Sequence, residues 1–505
     1  MNTLLTLLSW AFPLVAAAAP PPGAPLAPGK AVATAGVPVP APVPSSNGLR
    51  KSVVSIRVSG QDWDWRAPWS KQGPWMRSYT GVVVAGPRIL VTATGLGNAT
   101  LVEVQKLGEE KRYPARIRLA DYEGPLALVD VDDPAFFTDL VPLPLAADVP
   151  VDGEVQVLRW LGSNQFEAAR ANVRQVRVED HGMSRTGVLT LDMTASISEA
   201  GRSEPVVRQG QVVGLTTSKS DDVLLAIASP MLRQFLAAAG QQPYRGFARA
   251  GVAWQKLVNP ALRAHLGLGE KEGGILINKV LPHGSCAGGV EPGDVLLSVD
   301  GTRIDASGQF DHPRYGRLSF ALLFSLGHLP GDRVKADILR AGTRQTVELT
   351  LRRMPGEADK VPAYVLDHAP EYVERGGLVF QALSIPYLGT FGDWRRRGPL
   401  PLLIAQDVQG SFPSADAPRL VVLTAVLPDA LNLGYQDERD LIVSRVNGQP
   451  VASLEAVKAA FDGPPPASGF HIVEFAPGQS MARMVVDAAE LPAASARIQE
   501  LYGVN

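Results

Sequence analysis

From Lys51 to Ala228 the chain is cut into short runs in which apolar and polar residues alternate, and that period of two fixes what the segment can become. Ser52-Val-Val-Ser-Ile-Arg-Val reads as a strand, and Gly81–Ala93 reads as a hairpin turning at Gly86-Pro87. Leu126–Val131, Glu154–Leu158, Ala171–Val178, Gly187–Asp192, Val206-Val207, Gln211–Thr216 and Val223–Ala228 continue the series. The 49 glycines and 42 prolines supply the turns. Short strands at this spacing build barrels or a sandwich, not a helical bundle. Pro230–Ala239 then changes to a helical period, with Pro230 at the start and Gly240 as the stop.

Beyond a Gln-Gln-Pro break at Gln241, two further units follow. The middle one holds strand-like Gly274–Val280, the run Val290–Ile304, a stretch of helical character at Leu318–Leu326, and Pro330–Gly342. A polar linker at Pro355–Lys360 leads to the last unit, from Val361 to the end. There, strands at Leu420–Leu427 and Leu441–Val446, a turn at Asn447-Gly448 and a helix at Leu454–Phe461 repeat the order of the middle unit. The two read as divergent copies of one fold.

Leu4–Ala19 is almost wholly apolar, and Ala16–Ala19 suits signal peptidase. Its 16 residues, broken by Pro13, fall short of the roughly 20 that a membrane span needs. Residues 1–19 therefore read as a secretory signal, which directs the chain across the inner membrane to the periplasm or cell envelope. An uncleaved anchor is the alternative, and contact with a membrane is expected only in that case. Residues 20–48, rich in Pro and Ala, read as an extended tether.

Charge and cysteine usage exclude several classes. The 48 Lys+Arg against 50 Asp+Glu give a net charge of −2, which argues against nucleic acid as a partner. Cys286 is the single cysteine, so neither an intrachain disulfide nor a Cys-based metal site can form. No metal and no cofactor is expected. His283 and Cys286, in Pro282-His-Gly-Ser-Cys-Ala, lack partners for a metal and read as a loop.

The run Gly293-Asp-Val-Leu-Leu-Ser-Val-Asp-Gly301, followed by Pro330-Gly-Asp and Leu339-Arg-Ala-Gly, resembles a PDZ domain of the HtrA/Deg type. The segment before it has the layout of that family's trypsin-like domain. Pro68-Trp69, Gly377-Leu-Val-Phe, Ile385-Pro-Tyr-Leu, Gly392-Asp-Trp, Leu433-Gly-Tyr and Val446-Asn-Gly resemble the plant-type Deg subgroup, which carries a second, atypical PDZ. The resemblance implies a mostly β chain: a trypsin-like double β-barrel at 49–240, a PDZ domain at 244–355 and a second at 361–505. It also implies a trimer or larger homo-oligomer.

The family's catalytic residues do not carry over. In Leu90-Val-Thr-Ala-Thr-Gly-Leu, Thr94 stands where the family has His, and Pro125 stands where it has Asp. In Ser198-Glu-Ala-Gly-Arg-Ser-Glu-Pro205, Arg202 replaces the nucleophilic Ser, and Ser203 and Glu204 replace two glycines. A hydroxyl is a poor nucleophile until a base takes its proton, and Thr94 is no base near neutral pH. The glycines shape the backbone that aims N–H groups at an oxyanion, so Arg202-Ser203-Glu204 should distort or fill that pocket. Independently of any alignment, no histidine lies between Lys51 and Asp180. Ser203, His181 and Asp192 have the right residue types for a replacement trio, although all three belong to the second barrel. Asp121 and Glu123, near the lost Asp, read as surface charges.

PDZ domains take a peptide C-terminus by strand addition and hold its carboxylate on backbone N–H groups. By the resemblance, Ala250, Gly251 and Val252 would donate, Arg249 would add charge, and Leu318, Leu322 and Leu323 would line the pocket for the last side chain, unless they are only core. Arg395–Arg397 reads as a solvated loop. The expectation is a non-catalytic binder of polypeptide clients or C-terminal peptides, with chaperone-like, scaffolding or regulatory work in the cell envelope. The alternatives are an active serine endopeptidase of the same type, and a structural envelope protein.

Overall fold

The computed structural model describes residues 46–161, 165–181, 186–269, 272–409 and 418–504. The expected leader lies outside them, as does the tether except for residues 46–48. Those three open a helical turn, Ser46–Leu49, whose Leu49 is buried.

Strands β1 (Val53–Gly60), β2 (Trp75–Val84), β3 (Arg88–Thr92), β4 (Ala99–Lys106), β5 (Arg112–Asp121) and β6 (Leu126–Val131) form a closed barrel in the order β1-β2-β3-β6-β5-β4. The alternation read in the sequence is its physical basis. Val54, Ile56 and Val58 point inward with no exposure, and Ser55, Arg57 and Ser59 point out. A second closed barrel follows, in the order β10-β11-β12-β9-β8-β7. Its strands are β7 (Gly153–Leu161), β8 (Gln165–Glu179), β9 (Val188–Thr194), β10 (Pro205–Arg208), β11 (Gln211–Ser220) and β12 (Val223–Ala228). Helix α1 (Ser229–Ala239) packs on this barrel through Met231, Leu232 and Phe235, none of them exposed. Barrel closure leaves no edge except where a strand outruns its partner.

The middle unit is a sheet in the order β13-β14-β15-β19-β20, with β16 beside β15. These strands are β13 (Val252–Lys256), β14 (Ile275–Val280), β15 (Val295–Val299), β16 (Thr302–Arg303), β19 (Arg333–Arg340) and β20 (Thr343–Thr350). The helical reading of Leu318–Leu326 is corrected. A hairpin of β17 (Gln309–His312) and β18 (Gly316–Ser319) occupies its start, and only Leu322–Ser325 is helical. The hairpin forms because its apolar face has somewhere to go: Phe310, Leu318 and Leu322 join the core cluster of the second barrel.

With β21 (Tyr372–Arg375), β22 (Leu378–Ala382), β25 (Gln449–Pro450), β26 (Phe470–Phe475) and β27 (Arg483–Asp487), the last unit is a sheet in the order β21-β22-β23-β24-β26-β27, with β25 beside β24. Its central strands include β23 (Val421–Val426) and β24 (Leu441–Val446), and helices Leu454–Asp462 and Leu491–Tyr502 pack on it. The kinship of the two units reaches the backbone. Asp300-Gly301 and Asn447-Gly448, which turn the two equivalent hairpins, all have positive φ.

This unit is tied to the first barrel through the segment between β1 and β2. Trp65 packs beside Leu383, Tyr387 and Leu402, and Arg66 reaches Asp440 at 3.1 Å. On the linker side, Leu366 lies so close to Gly97 that a Cβ there would meet its Cδ2 at 2.6 Å. Asn98 and Asp367 exchange two hydrogen bonds, of 2.8 and 2.9 Å.

Candidate active-site cleft

The cleft between the barrels brings together the three positions that the resemblance singled out. Ala93 N–H donates to Pro125 O at 2.9 Å, which sets Pro125 beside the turn carrying Thr94. Thr94 and Arg202 line one cavity of about 430 Å³, with Met76, Arg77, Ser78, Tyr79, Thr92, Gly201 and Thr217. Pro125 is buried, whereas Thr94 and Arg202 are exposed.

The loop before β10 is fastened at Ser198 and from Gly201 to Glu204. Arg159 donates to Ser198 O at 2.6 Å and to Glu167 at 2.9 Å. At Gly201, φ is +94°, and a Cβ would meet the backbone of Ser218 and Lys219 at 2.7–2.8 Å, so only glycine fits. Arg202 O accepts from Thr80 N–H at 3.2 Å. Ser203 sits at φ +69°, a left-handed conformation that costs a residue with a Cβ about 1–2 kcal/mol. Its hydroxyl offsets that cost by accepting the Thr92 N–H across the cleft at 2.9 Å.

Glu204 completes the loop. Its buried carboxylate accepts from Gly201 N–H at 2.9 Å, from Arg202 N–H at 2.8 Å and from the Thr216 hydroxyl. In a serine protease the nucleophile's own N–H helps hold the oxyanion. Here the amide at that position already holds an internal anion. The Gly201 and Arg202 amides are thus turned onto the Glu204 carboxylate.

Among the described residues that line the cavity at Thr94 there is no histidine. Tyr79 lies against Gly95, beside Thr94. Burial raises its phenol above the usual range, with Arg77 and Arg202 pulling the other way, so it stays protonated at neutral pH. The trio Ser203, His181 and Asp192 is engaged elsewhere. His181 Nε2 bonds Thr190 Oγ1 at 2.8 Å, and burial lowers its imidazole to about 4. Asp192 accepts from Gln175 at 3.0 Å and lies 3.6 Å from Arg177.

Asp121 and Glu123 are not surface charges: they are 0% and 1% exposed. Asp121 accepts from Tyr244 Oη at 2.6 Å and pairs with Arg353 at 3.4 Å. Glu123 accepts from Gly356 N–H at 2.7 Å and from Tyr364 Oη at 2.8 Å. The two carboxylates thus join the first barrel to the segments on either side of the middle unit. Sequence reasoning missed them because those partners lie more than a hundred residues away.

In the middle unit, Arg249 N–H is bonded to Arg352 O at 3.0 Å. Ala250 O accepts from Cys286 N–H at 3.0 Å, and Gly251 O from Leu281 N–H at 2.8 Å. Val252 opens β13, which pairs with β14. Leu318, 1% exposed, is spent on the second barrel. Leu322 and Leu323 line a cavity of about 310 Å³ with Phe310, His312 and Leu326, and none of Arg249–Val252 lines it. Cys286 is buried, and that burial pushes its thiol up to about 12. Arg395–Arg397 forms an exposed helical turn rather than a loop.

Comparison with known proteins agrees with this architecture. A PDZ domain family model matches residues 361–505. Putative protease Do-like 3, mitochondrial, of Arabidopsis thaliana is 27% identical over 382 residues, covering 74% of this chain and 66% of that protein. Protease Do-like 2, chloroplastic, of the same plant is 24% identical over 419 residues, covering 81% and 68%. A probable periplasmic serine endoprotease DegP-like of Pseudomonas fulva (strain 12-X) is 33% identical over 156 residues, 31% of this chain and 28% of that one. The chain thus spans about two thirds of the length of the plant relatives. Among solved structures, the HtrA-type protease AlgWS227A with decapeptide shares the fold at 16% identity and a TM-score of 0.50, over 62% of this chain and 99% of that one. The chain is a relative of the HtrA/Deg proteases, built as a trypsin-like double barrel with PDZ modules behind it.

Proposed function

We propose that this chain is a non-proteolytic HtrA/Deg relative that binds polypeptide segments, and that it serves the cell envelope as a chaperone-like, scaffolding or regulatory factor. The observation that carries the reading is the occupied amide at Arg202: the position of the nucleophile holds a guanidinium, and its N–H is bonded to the Glu204 carboxylate. Acyl transfer needs a nucleophile, a base and a free oxyanion site together. Thr94 and Pro125 supply neither the base nor the group that orients it. The PDZ modules supply the binding function, in a trimer or larger assembly. The apolar Leu4–Ala19 segment supports delivery across the inner membrane.

The test joins two assays on the full chain. β-Casein is expected to remain intact after overnight incubation, and aggregation of a heat-unfolded reporter protein is expected to fall at stoichiometric chain. Casein fragments that vanish with Ser203→Ala would establish the endopeptidase reading instead. Intact casein with no effect on aggregation would favour a purely structural role.

A further inference from the structure

The exterior of the first barrel carries a trough that none of this explains. One cavity, of about 340 Å³, is walled by Ser55 and Arg57 of β1, Glu103 and Gln105 of β4, Arg112 of β5, the end of β7 and the Glu199–Glu204 loop. It shares Ser78, Tyr79 and Arg202 with the cavity at Thr94, so the two adjoin along β2 as a channel in two parts.

Two features of that channel point to a ligand. The first is an open strand edge. β2 pairs with β1 along Trp75–Val82, but its pairing with β3 begins only at Val82. Thr80 N–H points away from β1, since it donates to Arg202 O. Backbone groups two and four residues earlier, at Ser78 and Met76, therefore face the same side, where β3 has not yet begun. Met76 is 54% exposed and offers an apolar contact beside them.

The second feature is charge. Among the described residues neither Arg77 nor Arg202 forms an ion pair with a carboxylate. Arg77 instead lies 4.2 Å from the Trp75 ring centroid. Arg57 and Arg112 add charge along the wall, with Glu103 beside them, 3.8 Å from Arg112 and opposite Arg57 on the neighbouring strand. Arg159 is paired with Glu167. The acidic side chains of the channel are then Glu103, Glu204, which is committed to its amides, and exposed Glu199. The balance leaves the channel cationic at its middle, next to the open edge.

We propose that this channel takes an extended, acidic polypeptide segment, which adds as a strand to β2 at Met76–Ser78 and sets carboxylates against Arg77 and Arg202. Strand addition supplies the backbone hydrogen bonds, and the guanidinium groups select the sequence. This inference rests on the reading of the chain as a polypeptide binder and names the segment it takes.

The test uses the full chain and capped, fluorescein-labelled octapeptides with Glu at alternate positions, compared by anisotropy with Gln twins. The Glu peptide is expected to bind at least tenfold more tightly in 50 mM NaCl, with the gap narrowing at 300 mM. N-methylation of the amides that face β2 should remove binding. The double variant Arg77→Gln/Arg202→Gln should reduce the preference below twofold while its melting curve stays in place. Equal affinity for the Glu and Gln peptides overturns the inference, as does an octathymidylate that binds as tightly as the Glu peptide. Suppression of aggregation in either of those cases leaves the polypeptide-binding reading standing. Loss of both kinds of binding overturns the two together.

Discussion

Replacing Glu123 by alanine should loosen the junction between the first barrel and the linker behind the middle unit. The carboxylate is 1% exposed and accepts Gly356 N–H at 2.7 Å and Tyr364 Oη at 2.8 Å, both on buried residues. Its removal strands these two buried donors at about 1–3 kcal/mol each, which gives a loss of about 2–6 kcal/mol. Tyr364→Phe removes the tyrosine bond alone, and a carboxylate acceptor makes that bond worth about 1.5–3 kcal/mol. The two changes share a partner, so the double variant should lose less than the sum, by about 1–2 kcal/mol. Urea unfolding followed by tryptophan fluorescence reads these differences, because Trp65 and Trp69 lie where the last unit meets the first barrel. Limited trypsinolysis should open Lys360 in Glu123→Ala before any global unfolding. A loss below about 0.5 kcal/mol, with a linker as resistant as in the parent chain, would refute the claim that this carboxylate fastens the units.

Gly201→Ala should cost several kcal/mol, about 3 or more, because its Cβ would meet backbone at 2.7 Å; an unchanged melting temperature would contradict that packing. Arg202→Ser/Glu204→Gly restores the nucleophile and empties the amides, yet casein hydrolysis should stay at background for want of a base; measurable turnover would sink that expectation. Burial holds His181 near a pKa of about 4, below its unfolded value, so the unfolded chain binds the extra proton between about pH 4 and 6.5. Stability is therefore fully present above pH 6.5 and falls by about 2–3 kcal/mol as pH drops to 4, in a term that a His181→Gln chain should lack; identical pH profiles for the two chains would refute it.

The barrels were legible because burial writes itself on the sequence as alternation. Val53–Val58 declares an inward face, and Gly86-Pro87 declares its turn. β4 and β5 went unread because their outward residues are charged and half of each strand is wet: Ala99–Lys106 and Arg112–Asp121 bury only alternate or scattered side chains. The hairpin at Gln309–Ser319 was mistaken for part of a helix because its leucines answer to the second barrel, a neighbour that no local period reveals. At the cleft, chemistry was readable where geometry was not. Arg202-Ser203-Glu204 in place of Ser-Gly-Gly signalled a distorted or filled pocket, but that the Glu204 carboxylate takes the Gly201 and Arg202 amides depends on the turn of backbone at Gly201. Asp121 and Glu123 show the opposite case, since an isolated carboxylate looks solvated until its distant tyrosines arrive.

A cleft without acylation chemistry should leave a serine-directed probe unreacted. Intact-mass analysis after incubation with a fluorophosphonate probe addresses it directly. The mass is predicted to be unchanged, in the parent chain and in Ser203→Ala alike. A single adduct on the parent chain that disappears in Ser203→Ala would contradict it.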